Sequence, residues 1–585
     1  MTDTARIAQR ELFLARFAHL FEHSPWVVER TFDSGSVGAG DAVDALHAAF
    51  CRTLREASDG ERLALVRAHP DLAGRLAAAG RLTADSAKEQ ASAGLDRLTD
   101  EERRRFTELN DAYKARFDFP FIFAVKGRGK DEIRKAFEER ISHDRESELN
   151  EALRQIEKIV WLRLSGDDPA VPATPGARLM QRLDALAQFT AEPGKLTRLY
   201  LTGEHKAAME QVRAWMAEAG LATHVDGMAT LVGRYESEPP GAPALLVGSH
   251  IDTVRDAGRY DGNLGVLAAV QAVDELHRQG RRLPFAIEVL AFGDEEGVRF
   301  PTTLSGSRAV AGVFDPATLD LADAEGISLR EALLAFGCNP DPTAISAIAR
   351  NGGRALGYVE LHIEQGPVLQ DAGLPIGVVT AINGATRFSI EVEGVAGHAG
   401  TVPMELRRDA LAAACEMVLA IEREALGRDG LVATVGMLRP MPGAGNVIPG
   451  KVSFSLDIRS PRDDDRENAI VAIERKLSDI AVRRRAELRM TRTYDEPAIA
   501  ADRSMRAALA AAVRRCGYRV LELPSGAGHD AMAIGGVMPM AMLFLRCRDG
   551  ISHNPLESIT VDDAQVAVDV LVEFLASFDP DVVLP

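Results

Sequence analysis

The sequence predicts a multidomain chain in which an all-helical N-terminal domain precedes an α/β domain with an inserted α+β domain. Three observations lead to this fold class. The length of 585 residues exceeds that of a single hydrophobic core, which stops growing at about 250 to 300 residues. The spacing of apolar residues changes after a segment rich in Pro and Gly, and it changes again near residue 384. The hydrophobic fraction of 46% and the charged fraction of 26% are those of globular proteins.

Residues 1–165 are predicted to be all-helical. Segments such as DEIRKAFEERI and ESELNEALRQIEKIVWLRL place apolar residues at intervals of three and four, and alternating stretches are almost absent. The segment that follows, SGDDPAVPATPGA, is rich in Pro, Gly, Ala and Asp, and nothing in it could fill a core. We therefore predict a linker at 166–178.

Residues 179–384 and 501–585 are predicted to form one α/β domain. Short apolar runs, including PALLVGSH, FAIEVLAFGDEE and MPMAMLFLR, alternate with helical segments such as GVLAAVQAVDELHRQG. Such runs are typical of a buried sheet with helices on its faces. Between the two parts, residues 385–500 contain the alternating strands TRFSIEVEG and KVSFSLDIRS and two helical segments. This pattern predicts an inserted α+β domain of the ferredoxin-like type, with one face of its sheet solvated.

The composition argues against several classes of partner. A net charge of -18 would repel a phosphate backbone, and no basic stripe interleaved with aromatic residues reverses it. The start of the chain has no apolar stretch behind a basic segment, and no later run approaches the roughly 20 apolar residues of a membrane span. The cysteines, odd in number and never in CxxC spacing, argue against a disulfide framework or a thiolate metal site; they are Cys51, Cys338, Cys415, Cys516 and Cys547. We expect a cytoplasmic protein that binds neither nucleic acid nor a membrane.

Four strand ends present a histidine or a carboxylate beside glycine in otherwise apolar sequence. The segments are GSHIDTV with RYDGNLG, FGDEEG, ELHIEQG and ISHNPLE, and their candidate ligands are His250, Asp252, Asp261, Asp294, Glu295, Glu296, His362, Glu364 and His553. Taken singly, such residues are more typical of core histidines, turn aspartates or solvated acidic turns. Burying all of these charges without a cation would be costly, and open α/β sheets bind ligands at the carboxyl ends of their strands. The set therefore predicts a metal site.

These segments, with GDEEGVRFP, ELHIEQGPVL and GHAGTVPM, resemble the amidase, hydantoinase and carbamoylase branch of the aminoacylase and glutamate carboxypeptidase metallopeptidase family. The resemblance extends from about Leu179 to the C-terminus, and it implies an amidohydrolase with two divalent metal ions. The metal ligands it implies are His250, Asp261, Glu296, His362 and His553. In this scheme Asp261 bridges the two metals, Asp252 orients His250, and Glu295 is the general base. Imidazole and carboxylate ligands suit zinc, manganese, nickel or cobalt, so the sequence leaves the metal open.

The same resemblance implies a set of substrate residues. Arg459, which closes the strand KVSFSLDIRS, matches the arginine that would bind a substrate carboxylate through two hydrogen bonds. Asn446 in GAGNVIPG and Gln365 in HIEQG resemble further amide contacts. His398 in GVAGHAG resembles a histidine that reaches across a dimer to the substrate oxyanion. A homodimer through the inserted domain, closing over its substrate, is therefore implied.

The helical region contains a smaller group of candidates. His69 precedes a proline near a helix start, and Ser86, Glu89 and Gln90 share one helix face. From these residues alone, a solvated helix without function is the simpler interpretation. However, AHPDLAG and EQASAGL, together with FPFIFAVKGR and KIVWLRL, resemble the decarboxylase of 2-oxo-4-hydroxy-4-carboxy-5-ureidoimidazoline (OHCU), over about Arg6 to Leu164.

This second resemblance implies roles for five residues. His69 would be the catalytic acid or base, with Glu89 as its carboxylate partner. Ser86 and Gln90 would exchange hydrogen bonds with the substrate, and Arg163 would clamp a substrate anion. No cofactor is implied, since the imidazoline ring can hold the electrons released with carbon dioxide. Protonation of the resulting carbon from one face would give (S)-allantoin.

The two assignments constrain each other. Allantoin becomes allantoate after its ring is opened, and allantoate is a ureido carboxylate that the metal site could hydrolyse to ureidoglycine, ammonia and carbon dioxide. The pairing thus favours allantoate and leaves the ring opening to a separate allantoinase. The alternatives are a C-terminal hydrolase of N-carbamoyl-L-amino acids, ureidoglycolate or β-ureidopropionate, a C-terminal peptidase, and a helical domain that only mediates assembly.

Overall fold

A computed structural model describes residues 3–41, 43–73, 83–166, 174–350 and 355–583 of the chain. The chain forms two compact units. The first comprises Met1–Arg178 with the short segments Arg278–Arg281 and Val513–Arg519, and the second comprises Leu179–His277, Arg282–Ala512 and Val520–Pro585. Most of the predicted linker, residues 167–173, lies outside the described residues.

In the described part of the first unit, all regular secondary structure is helical, as predicted. Its helices are Asp3–Phe17, Trp26–Asp33, Val43–Arg55, Asp59–Arg67, Ala84–Ser92, Asp100–Phe117, Lys130–Arg140 and Arg145–Ser165, with a short turn of helix at Ala18–Leu20. Ser58 and Thr99 each begin a helix with a capping box, in which the hydroxyl and a glutamate three residues later satisfy the first free amides. The core contains many phenylalanines, among them Phe13, Phe50 and Phe137.

One buried segment of this unit is not helical. Residues 119–125, FPFIFAV, have no regular secondary structure, although Phe119, Phe121 and Ile122 are buried. Side chains satisfy the main chain here, because Arg140 donates to the carbonyl of Ile122 (2.8 Å) and the N–H of Ala124 donates to Gln155 (2.9 Å). The segment is thereby fixed as one wall of the pocket described below.

The second unit is built on a nine-stranded sheet. Its strands are β1 (Ala222–Val225), β2 (Leu231–Tyr235), β3 (Ala244–His250), β4 (Ala286–Phe292), β5 (Ala355–Ile363), β6 (Ile376–Ile382), β14 (Ile499–Ala500), β15 (Glu522–Ser525) and β16 (Met540–Leu545). Their order is β1-β2-β4-β3-β5-β16-β6-β14, and β15 also pairs with β6. The four central strands β4, β3, β5 and β16 are parallel, so their carboxyl ends meet at one edge. All residues of β3, β4 and β16 are buried, as the continuous apolar runs predicted.

Helices follow and separate these strands. They are Pro175–Leu186, Gly203–Glu218, Asn263–Arg278, Ser305–Ala311, Leu329–Phe336, Pro342–Ser346, Val368–Asp371, Arg503–Arg515, Asp530–Gly535, Val561–Ser577 and Pro580–Val583. In Asn263–Arg278 the first 14 residues are all buried, which explains its largely apolar sequence. Among the described residues, no helix combines the length and the apolarity needed to cross a lipid bilayer.

The segment predicted as an insert forms a second, antiparallel sheet. Its strands are β7 (Gly384–Glu393), β9 (Val432–Thr434), β10 (Leu438–Met441), β12 (Lys451–Ser460) and β13 (Glu487–Glu496), and a separate small pair is formed by β8 (Gly397–His398) and β11 (Val447–Ile448). The order is β10-β12-β7-β13, with β9 also paired to β12. The helices Ala410–Leu426 and Asp463–Arg484 share a core with one face of the sheet. Along β12, buried and partly exposed residues alternate, which leaves Asp457 and Arg459 on the face away from that core.

Candidate functional site

The predicted metal ligands come from separate strand ends. His250 ends β3, and His362 is the penultimate residue of β5. Glu296 lies in the turn after β4, while Asp261 and His553 lie in loops that follow β3 and β16. Because β3, β4, β5 and β16 are parallel neighbours, their connections converge at one edge of the sheet. The structure brings all five side chains together there.

Asp261 lies at the centre of this cluster. Its Oδ1 is 3.6 Å from Nε2 of His250 and 3.1 Å from Nε2 of His362. Its Oδ2 is 3.4 Å from Nε2 of His553, which is 3.5 Å from a carboxylate oxygen of Glu296. Two atoms bound at about 2.1 Å to one tetrahedral ion lie roughly 3.4 Å apart. The four separations therefore fit two cation positions that share Asp261.

The ring nitrogens of both buried histidines are oriented for metal binding. Nδ1 of His250 lies 3.0 Å from the carbonyl of Asp252, and Nδ1 of His362 lies 2.9 Å from the carbonyl of Ile363. A carbonyl only accepts hydrogen bonds, so Nδ1 carries a proton in each ring, and in the neutral ring Nε2 has a lone pair for a cation. In both histidines this lone pair faces Asp261.

The electrostatics also favour a cation. Burial raises the pKa of Glu295 well above its usual range. Burial, reinforced by the charges of Asp261 and Asp252, raises the pKa of Glu296 to about 8. Oε1 of Glu296 is buried without a hydrogen-bond partner among the described residues. Divalent ions between these carboxylates would remove the cost of burying them, and the donor set of histidine and carboxylate suits such ions.

Asp252 contacts His250 through its main chain and the turn of Glu295 and Glu296 through its side chain. Its carboxylate lies 3.7 Å from Nδ1 of His250, whereas its carbonyl is the close partner of that nitrogen. The carboxylate instead accepts the main-chain N–H groups of Glu295 and Glu296, each at 3.3 Å. Asp252 thus orients His250 through its main chain and holds the turn of the two glutamates through its side chain.

Two buried residues of this site were not singled out from the sequence. Glu557, in the motif SHNPLE, accepts the N–H groups of Tyr260 and Asp261, and burial raises its pKa to about 7. His529, in GAGHD, packs against His362 with ring centroids 4.5 Å apart, and burial lowers its pKa well below the usual range. Both residues follow the pattern of a polar residue in a glycine- or proline-containing loop, which could have identified them.

The predicted substrate residues have defined partners. Gln365 donates to Oδ2 of Asp261 (2.9 Å), so it contacts the predicted bridging ligand directly. Arg459 donates through Nε and Nη2 to the two carboxylate oxygens of Asp457 (2.8 and 3.2 Å) and through Nη1 to the carbonyl of Gly526 (2.7 Å). Gly526 lies three residues before His529, so Arg459 connects the inserted sheet to a loop of the metal site.

His398 and Asn446 lie beside each other in the small β8–β11 pair. His398 is opposite Val447, and the carbonyl of Asn446 accepts the N–H of Ala399 (3.0 Å). Both side chains are exposed, and Nδ1 of His398 accepts the N–H of Gly400 (3.0 Å). Nε2 of His398 is therefore the ring nitrogen available to a ligand.

The helical unit contains a second candidate site. A pocket is lined by the five residues predicted for this unit: His69, Ser86, Glu89, Gln90 and Arg163. Phe121, Ile122 and Phe123 of the non-helical segment form its apolar wall. A few polar groups on an otherwise apolar lining are typical of a small-molecule site.

Arg163 is held between two carboxylates in this pocket. It donates to both oxygens of Glu89 (2.8 and 3.0 Å) and to Oε1 of Glu22 (3.0 Å). Glu22 also accepts the hydroxyl of Ser86 (2.6 Å) and was not identified from the sequence, although it lies in the motif FEHSPWV. Since Ser86 gives its proton to Glu22, its hydroxyl can only accept from a ligand in the pocket. Gln90 is fixed by the N–H of Ala73, which donates to its side-chain oxygen (2.9 Å).

His69 presents an unprotonated nitrogen to the pocket. Its Nδ1 lies 3.2 Å from the carbonyl of Leu65 and carries the proton, while its Nε2 is buried with no hydrogen-bond partner among the described residues. Burial lowers the pKa of His69 to about 4. At neutral pH the ring is neutral and Nε2 can accept a proton.

The buried His69 should make the stability of the helical unit depend on pH. The folded ring titrates near 4 and an exposed histidine near 6.5, so as pH falls below 6.5 the unfolded chain binds a proton that the folded chain excludes. Relative to His69→Gln, we expect wild-type stability to be full above pH 6.5 and to fall by at most about 1.4 kcal/mol per pH unit down to pH 4. Urea unfolding followed by tryptophan fluorescence measures this, since Trp26 and Trp161 lie in the helical unit. The same pH dependence in both proteins would contradict it.

Comparisons with known proteins identify both parts of the chain. The family model for OHCU decarboxylase matches residues 7–165, and the model for peptidase family M20/M25/M40 matches residues 246–577. An N-carbamoyl-L-amino acid amidohydrolase of Geobacillus stearothermophilus is 42% identical over 68% of this chain and 97% of its own. Allantoate deiminase 1 of Glycine max is 38% identical over 67% of this chain and 88% of its own. The crystal structure of an amidase of the hydantoinase/carbamoylase family from Burkholderia multivorans matches with a TM-score of 0.66 and 34% identity, over 69% of this chain and 98% of that one.

Proposed function

Because the chain belongs to peptidase family M20/M25/M40 and carries an OHCU decarboxylase domain ahead of it, we propose that it catalyses two reactions of purine catabolism. The helical unit decarboxylates OHCU to (S)-allantoin. The second unit hydrolyses allantoate to ureidoglycine, ammonia and carbon dioxide. The observation that carries the hydrolytic assignment is the set of separations from Asp261 to three histidines and from His553 to Glu296, all between 3.1 and 3.6 Å, which suits ligands of shared cations.

In the hydrolase, the chain would hold one divalent ion with His250 and His362 and another with Glu296 and His553. Both ions would share Asp261. When bound, such ions lower the pKa of a water molecule and polarise the scissile carbonyl. We propose zinc or manganese, with nickel or cobalt as alternatives, because this donor set accommodates each of them.

Glu295 is the proposed general base of the hydrolase. Its carboxylate lies 3.8 Å from Nε2 of His250, beside the predicted ligands, and its main chain is held by the carboxylate of Asp252. Burial disfavours the charged form of Glu295, so its carboxylate readily takes the proton of the attacking water. It then returns that proton to the leaving nitrogen as the C–N bond breaks.

Arg459 is the proposed partner of the substrate carboxylate. Asp457 occupies the side of the guanidinium formed by Nε and Nη2, which leaves the second proton of Nη2 and one of Nη1 directed away from Asp457 for an anion. Gln365, Asn446 and His398 are proposed to contact the remaining polar groups of the substrate. The exposed β8–β11 pair supports a role for His398 across a homodimer, and the strand order of the insert supports its ferredoxin-like assignment.

Arg459→Lys should raise KM for allantoate by about 10- to 100-fold, because a lysine cannot make two parallel hydrogen bonds to a carboxylate. We expect kcat to change much less, because Arg459 takes no part in the proposed proton transfer by Glu295. Arg387→Lys is the matched control, because Arg387 donates to the same Asp457 from β7 (2.9 Å). Steady-state kinetics on the three proteins checks this. An unchanged KM in Arg459→Lys would remove Arg459 from the substrate site.

The choice of allantoate over other ureido acids depends on the fused decarboxylase. The relative named as an N-carbamoyl-L-amino acid amidohydrolase is slightly more similar to this chain than allantoate deiminase 1 is, so this activity is the second candidate. The decarboxylase domain favours allantoate, because its product is converted to allantoate by one ring-opening hydrolysis. A separate allantoinase is proposed for that step.

Steady-state kinetics with the purified chain decides between these substrates. We expect kcat/KM for allantoate to exceed that for N-carbamoyl-L-amino acids by at least about tenfold, which corresponds to about 1.4 kcal/mol of transition-state binding. A preference of the same size for the carbamoyl amino acids would replace allantoate with the second candidate. Hydrolysis of dipeptides at a higher rate than either would support the peptidase alternative.

In the decarboxylase, we propose that His69 moves the substrate proton. Nε2 of His69 accepts a proton from the bound substrate, the bond to the carboxylate breaks, and the electron pair remains on the imidazoline ring as carbon dioxide leaves. His69 then returns the proton to the carbon from one face. Glu89 was expected to be the carboxylate partner of His69, but neither ring nitrogen of His69 bonds to it among the described residues. Glu89, held by Arg163, and the accepting hydroxyl of Ser86 instead suit N–H groups of the substrate. These protein partners of Arg163 indicate that it positions Glu89 in addition to its expected role as an anion clamp.

A further inference from the structure

Glu557 is a buried carboxylate that no step of the proposed reactions uses. It is 4% exposed and lies four residues after His553. Its Oε1 accepts the N–H of Tyr260 (2.7 Å) and the N–H of Asp261 (3.1 Å). Its Oε2 is buried and has no hydrogen-bond partner among the described residues. Both amides belong to the loop that presents the predicted bridging ligand.

The segment 552–557 contacts Asp261 at both its side chain and its main chain. The hydroxyl of Ser552 donates to Oδ2 of Asp261 (2.6 Å), and Nε2 of His553 lies 3.4 Å from the same oxygen. Glu557 holds the main chain of the same residue by accepting its N–H. One C-terminal loop therefore determines both where the backbone of Asp261 lies and where its carboxylate points.

The loop around Asp261 is enclosed on two sides. A Cβ at Gly258 would overlap the carboxylate of Glu557, and a Cβ at Gly262, where φ is +65°, would overlap the ring of His250. These two glycines let the chain pass closely between Glu557 and His250. Glycine-containing loops have little intrinsic preference for one conformation. The loop around Asp261 therefore needs a contact such as that of Glu557 to hold it in one conformation.

We propose that Glu557 is a positioning residue that holds Asp261 for metal binding. Two main-chain amides on one carboxylate make charge-assisted hydrogen bonds, which are stronger than neutral ones. Removing them would let the 258–262 loop shift, and the two oxygens of Asp261 would no longer face their histidines. Groups that hold a metal ligand in place typically contribute 10- to 100-fold to metal affinity. This inference rests on the proposed metal-dependent function.

The test compares Glu557→Gln and Glu557→Ala with a matched control. Asp226 also accepts two main-chain amides through one oxygen, those of Met228 (2.8 Å) and Thr230 (2.9 Å), and its other oxygen is buried without a partner among the described residues. Its loop holds no predicted ligand, so Asp226→Asn measures the structural cost alone. Zn²⁺ and Mn²⁺ affinities of the full chain are measured by competition with a chromophoric chelator, and the Tm of the metal-free protein is recorded alongside.

We expect about tenfold weaker metal binding in Glu557→Gln, which keeps an acceptor oxygen, and about 100-fold weaker binding in Glu557→Ala. Saturating metal should restore most of kcat in Glu557→Gln. Asp226→Asn should lower the Tm of the metal-free protein and leave metal affinity unchanged. If the Glu557 variants lower Tm as the control does but keep wild-type metal affinity, the residue is only structural and the inference is overturned.

The same measurements separate this inference from the proposed function. Metal affinity is read without any substrate, so a wild-type chain that binds metal but does not hydrolyse allantoate would leave the role of Glu557 measurable. Failure of the wild-type chain to bind either metal would overturn both. Should Glu557→Ala fail to fold, Glu557→Gln alone still gives the expected tenfold change or contradicts it.

Discussion

Glu295→Gln is expected to lower kcat for allantoate hydrolysis by about a thousandfold, because a glutamine cannot accept the proton of the attacking water. The substitution keeps the shape of the side chain. The turn that carries it should also survive, since Asp252 holds this turn through main-chain amides rather than through the glutamate side chains. Stopped-flow and steady-state measurements of ammonia release at saturating metal give the change in kcat.

The fused domain provides an internal control for this variant. Decarboxylation by the same Glu295→Gln preparation should equal that of the wild type, because His69 and its pocket belong to the other unit. Metal content should also be unchanged, since Glu295 is not among the proposed ligands. A loss of bound metal would instead identify Glu295 as a ligand, which is a geometrically available role because it forms one candidate group with His250 and Glu296.

His69→Asn is expected to lower the rate of (S)-allantoin formation by about a thousandfold and to leave allantoate hydrolysis unchanged. His69 is the only histidine among the described residues that line this pocket, and its low pKa keeps Nε2 unprotonated at neutral pH. The reaction is followed by circular dichroism, because protonation in solution occurs on both faces and gives racemic allantoin. The measured signal thus reports only the enzyme-catalysed product.

His47→Gln is the matched control for this experiment. His47 is another histidine of the helical unit whose pKa burial lowers, and its Nε2 lies 2.8 Å from the carbonyl of Glu157, but it does not line the pocket. We expect it to lose stability and keep decarboxylase activity when assayed below its melting temperature. Equal activity in His69→Asn and the wild type would support a helical domain that only mediates assembly.

Much of the hydrolase site could be predicted because its residues interrupt strong local patterns. His250 ends a fully buried apolar strand, and Glu295 and Glu296 follow another. A charged residue at the end of such a strand must reach solvent, a partner or a ligand, so its position carries information. The parallel order of the strands then brings separate motifs to one edge, which no single motif could show.

The residues that were missed act through contacts between distant parts of the chain. Glu557 bonds to an amide 296 residues away, and Arg163 meets Glu22 across 141 residues. Local periodicity contains no information about such pairs. The contact between Asp252 and His250 is a similar case. The sequence predicts that Asp252 bonds to His250, but it does not show whether the main-chain carbonyl or the side-chain carboxylate makes that bond.

In the helical unit, the aromatic run 119–125 falls within a region that the sequence predicts to be all-helical. In the structure, Arg140 and Gln155 satisfy the main chain of this run without a helix.

The central claim is that two divalent ions share Asp261, and the metal content of the chain tests it most directly. Wild-type protein, saturated with Zn²⁺ or Mn²⁺ and freed of excess by gel filtration, should contain two ions per chain. Asp261→Asn should lose both, because its amide replaces one carboxylate oxygen with a group that cannot bind a cation, while decarboxylation remains intact. Two ions retained in Asp261→Asn, or none bound by the wild type, would contradict the account.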